Sequence, residues 1–144
     1  MAIIQLLDRP KNIIYIVWDG DTTAEKWLDQ ARQLVAQPDW RAISRLIADV
    51  HTAANPDTIG DKAMEAVAAL FGTQLETVRK KRIAVLASDL FGRTRTLSTL
   101  LAPLGVSMVV FNHLDTACTF LGINPADTQQ TLEQLRLKLR SEGS

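Results

Sequence analysis

Two apolar runs near the start of the chain, Ile3–Leu7 and Ile13–Trp18, are separated only by Asp8-Arg9-Pro10-Lys11-Asn12. A parallel crossover needs about a dozen residues or more, so this pentapeptide leaves one arrangement, an antiparallel pair of neighbouring strands. Its composition is turn chemistry: Pro10 fixes φ, and Asp8 and Asn12 are expected to bond their own backbone. Ile13–Trp18 shows no polar alternation, as expected for a strand covered on both faces. The chain must therefore supply helices for both sides of a sheet.

The remaining sequence does so by alternating strand-like and helix-like segments. Thr22 with Glu25 reads as a capping box, and Ala24, Trp27, Leu28, Ala31, Leu34 and Val35 fall on one stripe ended by Pro38. Leu46–Val50 is a third strand interrupted by Asp49, and 51–60 reads as a polar loop. From Asp61, residues Ala63, Met64, Val67, Leu70 and Phe71 share a helical face. Gly72 stops that helix, and a second capping box, Thr73 with Glu76, marks a restart. Ile83–Ala87 is a fourth strand, 94–104 a helix ended by Gly105, and Met108–Phe111 a fifth strand. A short helix over Leu114–Leu121 stops at Gly122, and a last helix covers 126–140, with Asp127 as its cap and Leu132, Leu135 and Leu139 as its stripe. The order ββαβαβαβα plus a C-terminal helix predicts an α/β fold, a mostly parallel sheet with one antiparallel N-terminal edge strand. No linker or repeat divides it.

Composition narrows the function classes. Sixteen Lys and Arg balance sixteen Asp and Glu for zero formal net charge, unlike the strongly basic surface of a nucleic-acid binder. The 144 residues are 47% hydrophobic and 22% charged, values of a folded domain that needs no disulfide or metal staple. Cys118 is the single cysteine, which excludes a disulfide framework and any CxxC metal site. Met1 leads into Ile3 without a basic n-region, and no apolar run approaches the ~20 residues of a membrane span. A cytoplasmic protein is the expectation.

Three stretches resemble the STAS domain (sulphate transporter and anti-sigma-factor antagonist), closest to its SpoIIAA-like branch. They are the strand–Pro turn–strand followed by Gly20 and Thr22-Thr23-Ala24-Glu25; Arg82–Ala87 followed by Ser88-Asp89-Leu90-Phe91-Gly92-Arg93-Thr94-Arg95; and Val109-Val110-Phe111 followed by Asp115-Thr116-Ala117 and Leu121-Gly122. The resemblance covers 1–122, with 123–144 as a helical extension of the same domain. It implies a SpoIIAA-like fold, a non-enzymatic regulatory or protein-interaction role, and a partner surface at Asp57, Thr58 and Gly60, where regulatory members carry an Asp-Ser-Ser-Gly-like signature with a phosphorylated hydroxyl. In this chain Ile59 stands in the usual acceptor slot, which leaves Thr58 as the candidate hydroxyl, at a helix start where phosphate is favoured. The alternative is that Asp57 and Thr58 only cap the helix. The SpoIIAA-like branch is also similar in fold to lipid-carrying CRAL-TRIO domains, which implies a second role as carrier or sensor of a lipid-like or phosphate-bearing anion.

Other residues offer chemistry of their own. Ser88, Asp89, Gly92, Arg93 and Arg95 lie beyond a strand's carboxyl end and open a helix, the place where open α/β sheets hold anionic ligands. One glycine without a GxGxxG or P-loop pattern keeps this a candidate anion or ligand site only. Asp19, Asp21 and Asp89 could form a Mg²⁺-holding carboxylate cluster, but no lysine follows the fifth strand, and turn and cap roles explain them better. His51 and His113 each follow a strand, with no Ser, Cys or carboxylate at a spacing that specifies catalysis. An enzyme built on His51, His113 and Asp89 is the least favoured alternative. No cofactor or metal is expected. Arg79-Lys80-Lys81-Arg82 reads as charge complementing a helix end, and Cys118 as a small buried hydrophobe. The C-terminal leucines are expected to dock on their own domain or on a second copy, with Leu137 off that face; in the latter case they and Trp40 leave an apolar patch for a protein partner or a homodimer.

Overall fold

A computed structural model describes residues 3–54, 59–87 and 92–142, with the backbone alone for 92–94. Five strands form one sheet in the order β1-β2-β3-β4-β5: β1 Ile3–Asp8, β2 Ile13–Asp21, β3 Arg45–Ala54, β4 Arg82–Leu86 and β5 Ser107–Phe111. The hairpin is antiparallel, running from Ile3 opposite Trp18 to Asp8 opposite Ile13, and every later pairing is parallel. The fold is therefore α/β with a mixed sheet. In the turn, Asp8 accepts from the Lys11 N–H at 3.3 Å, and Asn12 adopts φ 55°, a left-handed conformation that asparagine tolerates. The Asn12 side chain does not bond its own turn. Its amide group instead exchanges two 2.8 Å hydrogen bonds with Ser44 at the foot of β3.

Among the described residues the helices are α1 Ala24–Ala36, α2 Asp61–Gly72, α3 Leu75–Val78, α4 Gly92–Leu101, α5 Leu114–Leu121 and α6 Pro125–Glu142. Helices α1, α2 and α4 bring Leu34, Val67, Phe71 and Leu101 onto Ile14, Leu46, Ile83 and Met108 of one sheet face. Helices α5 and α6 bring Leu121, Leu132, Leu135 and Leu139 onto Ile13, Tyr15, Ile47 and Ala84 of the other. Both faces are covered, which is why β2 needs no polar alternation.

Several local expectations are corrected. The cap of α1 is Thr23, whose Oγ1 accepts from the Lys26 N–H at 3.1 Å, while Thr22 is buried and its hydroxyl lacks a partner among the described residues. Thr73 donates back to the Leu70 carbonyl at 2.6 Å instead of capping α3, which begins after Gln74. At α6 the cap is Asn124, which accepts from the Asp127 N–H at 3.0 Å. The expected helix over 94–104 is α4 followed by a separate 3₁₀ turn, Ala102–Leu104.

The patch expected for self-association is covered by the chain itself. Trp40 is 1% exposed in a 3₁₀ turn, its indole N–H bonded to Gln74 at 2.9 Å. Leu132, Leu135 and Leu139 are buried, and Leu137 alone of these leucines faces solvent. Nor is the basic run simply a solvated helix end. Lys81 is 4% exposed, its ammonium donates to the carbonyls of Trp40 and Ile43, and it lies 4.2 Å from the Trp40 ring centroid. No described helix is long and apolar enough to cross a membrane.

Candidate functional site

Two cavities lie on opposite faces of the sheet. The first, about 150 Å³, sits between the sheet and α1, α2 and α4. Among the described residues its wall is aliphatic, aromatic or thioether except for two half-buried amides, Gln5 and Gln30, and it carries no charge. Trp18 and Trp27 meet edge to face at one side, with centroids 5.9 Å apart and planes at 64°. Ile59 also lines it, packed with Ile3, Trp18 and Met64. The residue in the slot that the STAS resemblance gives to a phospho-acceptor is thus a wall of an apolar cavity.

The second cavity, about 320 Å³, lies at the carboxyl ends of β3, β4 and β5 beside the first residue of α5 and one face of α6. Its wall includes Asp49, His51, Asn112, His113, Gln129 and Glu133. The segment expected as loop over 51–60 begins as strand, since β3 continues to Ala54. Pairing slips by one residue there, Val17 facing Asp49 but Asp19 facing Thr52. A bulge of this kind re-aims side chains, and here Asp49 and Thr52 both reach the same partner on α6, Arg136.

Arg136 donates from Nη2 to Asp49 Oδ2, from Nε to Thr52 Oγ1 at 3.2 Å, and from Nη1 to Glu133 at 3.1 Å. Asp49 is 1% exposed and Arg136 4%; charges so far from water persist only when paired and hydrogen-bonded. The other oxygen of Asp49 accepts from the His51 backbone N–H at 3.2 Å and from the His51 imidazole through Nδ1. One turn further along α6, Arg140 grips Asp19 with two bonds of 2.8 and 3.1 Å. That grip holds the Asp19 carboxyl below its ordinary range and raises the Arg140 guanidinium.

The sequence candidates divide clearly. His51 and His113 do converge on one cavity, whereas Asp89 lies outside the described residues, as do Asp57, Thr58 and Ser88. Gly60 is the backbone cap of α2, and its carbonyl accepts from the Met64 N–H. Gly92 opens α4; the Arg93 side chain is outside the description, and Arg95 is exposed on α4, apart from the described wall of the apolar cavity. Asp19 is engaged by Arg140, and no group of three or more His, Cys, Asp or Glu among the described residues is placed to hold a metal ion. Cys118 is buried, and burial pushes its thiol up, away from nucleophilic use.

The pair missed in the sequence is Asp49 with His51. Residues two apart on a strand share a face, so the signal was present once β3 was known to extend past Val50. Arg136, on a helix 87 residues away, left no such signal. No family model matches the chain, and no curated protein matches it.

Proposed function

We propose that the chain is a STAS-like regulatory and protein-interaction module that binds a small apolar or amphipathic molecule between the sheet and α1, α2 and α4. The observation that carries this reading is the cavity of about 150 Å³ on that face, whose described wall carries no charge. Holes of roughly that volume with aliphatic and aromatic walls stay dry and accept a benzene-sized ring. A lipid-like chain or ring suits the described wall better than a phosphate-bearing anion, because burying an unpaired anion there would cost several kcal/mol, on the order of a buried unpaired charge. Gln5 and Gln30 supply hydrogen bonds to a neutral polar end.

The antiparallel leading hairpin on an otherwise parallel sheet supports this reading. Helix α2 ties the two roles together. It begins at Asp61, which follows in sequence the Asp57, Thr58 and Gly60 that the resemblance implies as a partner surface, and it walls the cavity through Met64, Val67 and Phe71. Occupancy of the cavity would therefore bear on the helix offered to a partner.

The test uses naphthalene and 1-dodecanol, both uncharged, as probes against purified protein. Binding raises the melting temperature and changes Trp18 and Trp27 fluorescence, and Ala31→Phe, which fills the cavity, removes both effects. At about 100 times its dissociation constant a probe adds about 2.7 kcal/mol of stability. No response to either probe, with a native mass spectrum free of carried ligand, refutes the reading. A pull-down from the native host with wild type and Thr58→Glu tests the partner surface separately; a partner retained equally by both forms counts against Thr58 as its switch.

A further inference from the structure

We propose that His51 is a nucleophilic imidazole, positioned by Asp49 and Arg136, and that the carboxyl-edge cavity takes a small uncharged acyl ester. This site lies on the sheet face opposite the apolar cavity and stands independently of it. The Asp49 carboxylate oxygen that meets Nδ1 can only accept, so in the neutral imidazole the proton sits on Nδ1 and the lone pair on Nε2. Nε2 has no partner among the described residues, and the side chain is 40% exposed while lining the cavity. Asp49 cannot swing away, because Arg136 and the His51 backbone N–H hold it. A base oriented by a buried carboxylate is the arrangement that activates imidazoles in acyl transfer.

The ligand class follows from charge. The described wall carries the carboxylates of Asp49 and Glu133, two imidazoles, and no lysine or arginine. Arg136 is already divided between Asp49 and Glu133. An approaching phosphate or carboxylate would meet negative charge, whereas a neutral ester would not. Leu86, Leu114 and Leu132 offer apolar surface to its acyl chain, and the side-chain amides of Asn112 and Gln129 offer N–H donors to its carbonyl. The described wall holds no hydroxyl or thiol side chain, and the imidazole itself is the proposed nucleophile; acetyl trapped on His51 separates this from general-base attack by water.

In the first step the Nε2 lone pair bonds to the carbonyl carbon and the carbon–oxygen bond to the alcohol breaks. The alkoxide or phenolate leaves with that electron pair. The product is an acyl-imidazolium that still carries its Nδ1 proton, and Asp49 faces that new positive charge. Water then attacks the acyl carbon, the carbon–nitrogen bond breaks, and its electron pair returns to Nε2. A carboxylic acid and one proton are released.

The probe is p-nitrophenyl acetate with the full chain. His51→Ala is expected to slow p-nitrophenolate release about a hundredfold, within the range for one such catalytic group, and Lys26→Ala, at an exposed amine on α1 across the sheet, to leave it within about twofold of wild type. Acid quenching followed by peptide mass spectrometry should find the acetyl group on His51. Asp49 and Arg136 are positioning residues, and their role is read in the wild-type protein by ¹⁵N NMR, which should find His51 in the Nδ1–H form. The proposal is overturned if His51→Ala reacts at the wild-type rate, if acetyl appears only on other residues, or if His51 is found in the Nε2–H form.

Discussion

Asp49 and Arg136, 87 residues apart in the chain, bury opposite charges against each other between β3 and α6. Neither side chain is more than 5% exposed, so each depends on the other for what water would otherwise supply. Removing one partner leaves a buried charge uncompensated, which costs more than the pair itself contributes. Arg136→Met should therefore lower stability by about 3–5 kcal/mol, read as a shift in the urea midpoint. Replacing both, as Asp49→Leu with Arg136→Met, should recover most of that loss. A single variant costing less than about 1 kcal/mol, the level of an exposed pair, would show that the two charges are solvated.

Lys81 gives a prediction in the alkaline range. Burial pulls its ammonium down from 10.5 to about 8, against the pull of two carbonyls and the Trp40 face, which favour the cation. Between those two values the unfolded chain binds more protons than the folded one, so this group makes stability rise with pH. Tyr15 and Cys118 act in the opposite direction, because burial raises both. Comparison with Lys81→Met cancels them. From pH ~7.5 to ~9 the wild type should gain stability relative to Lys81→Met in parallel thermal melts. An unchanging difference would mean that Lys81 titrates at its ordinary value.

Adjacent threonines at the start of α1 should behave oppositely. Thr23 caps the helix through its 3.1 Å bond from the Lys26 N–H, so Thr23→Ala should cost about 1 kcal/mol. Thr22 buries a hydroxyl without a partner among the described residues. Thr22→Val keeps the shape and removes that desolvated oxygen, so it should be neutral or stabilising. Chemical denaturation of the two variants checks the pair, and equal losses would contradict the assignment of Thr23 as the cap.

The architecture was legible because its signals are local. The five-residue turn at 8–12 forced the antiparallel hairpin, apolar runs marked five strands, and Gly122 stopped α5 in a left-handed conformation where expected. Errors fell where a polar side chain had several nearby groups to bond. Thr22 against Thr23, and Asp127 against Asn124, differ by one or three positions, and the choice depends on which oxygen the first turn's N–H groups reach. The end of β3 is hidden in the sequence because the polar segment from His51 onward has the composition of a loop. The strand conformation of Thr52, Ala53 and Ala54 comes from pairing with Asp19, Gly20 and Asp21 of β2 across a bulge.

Pattern and chain length thus determined the mixed α/β sheet and its leading hairpin, since periodicity and short connections act within a few residues. Tertiary structure alone decided that Ile59 lines an apolar cavity, that Lys81 is buried under Trp40, and that Arg136 reaches Asp49 and through it orients His51. Those relationships arise from packing elements far apart in the chain. Their strength comes from excluding water, a property of the assembled layers that no single segment carries.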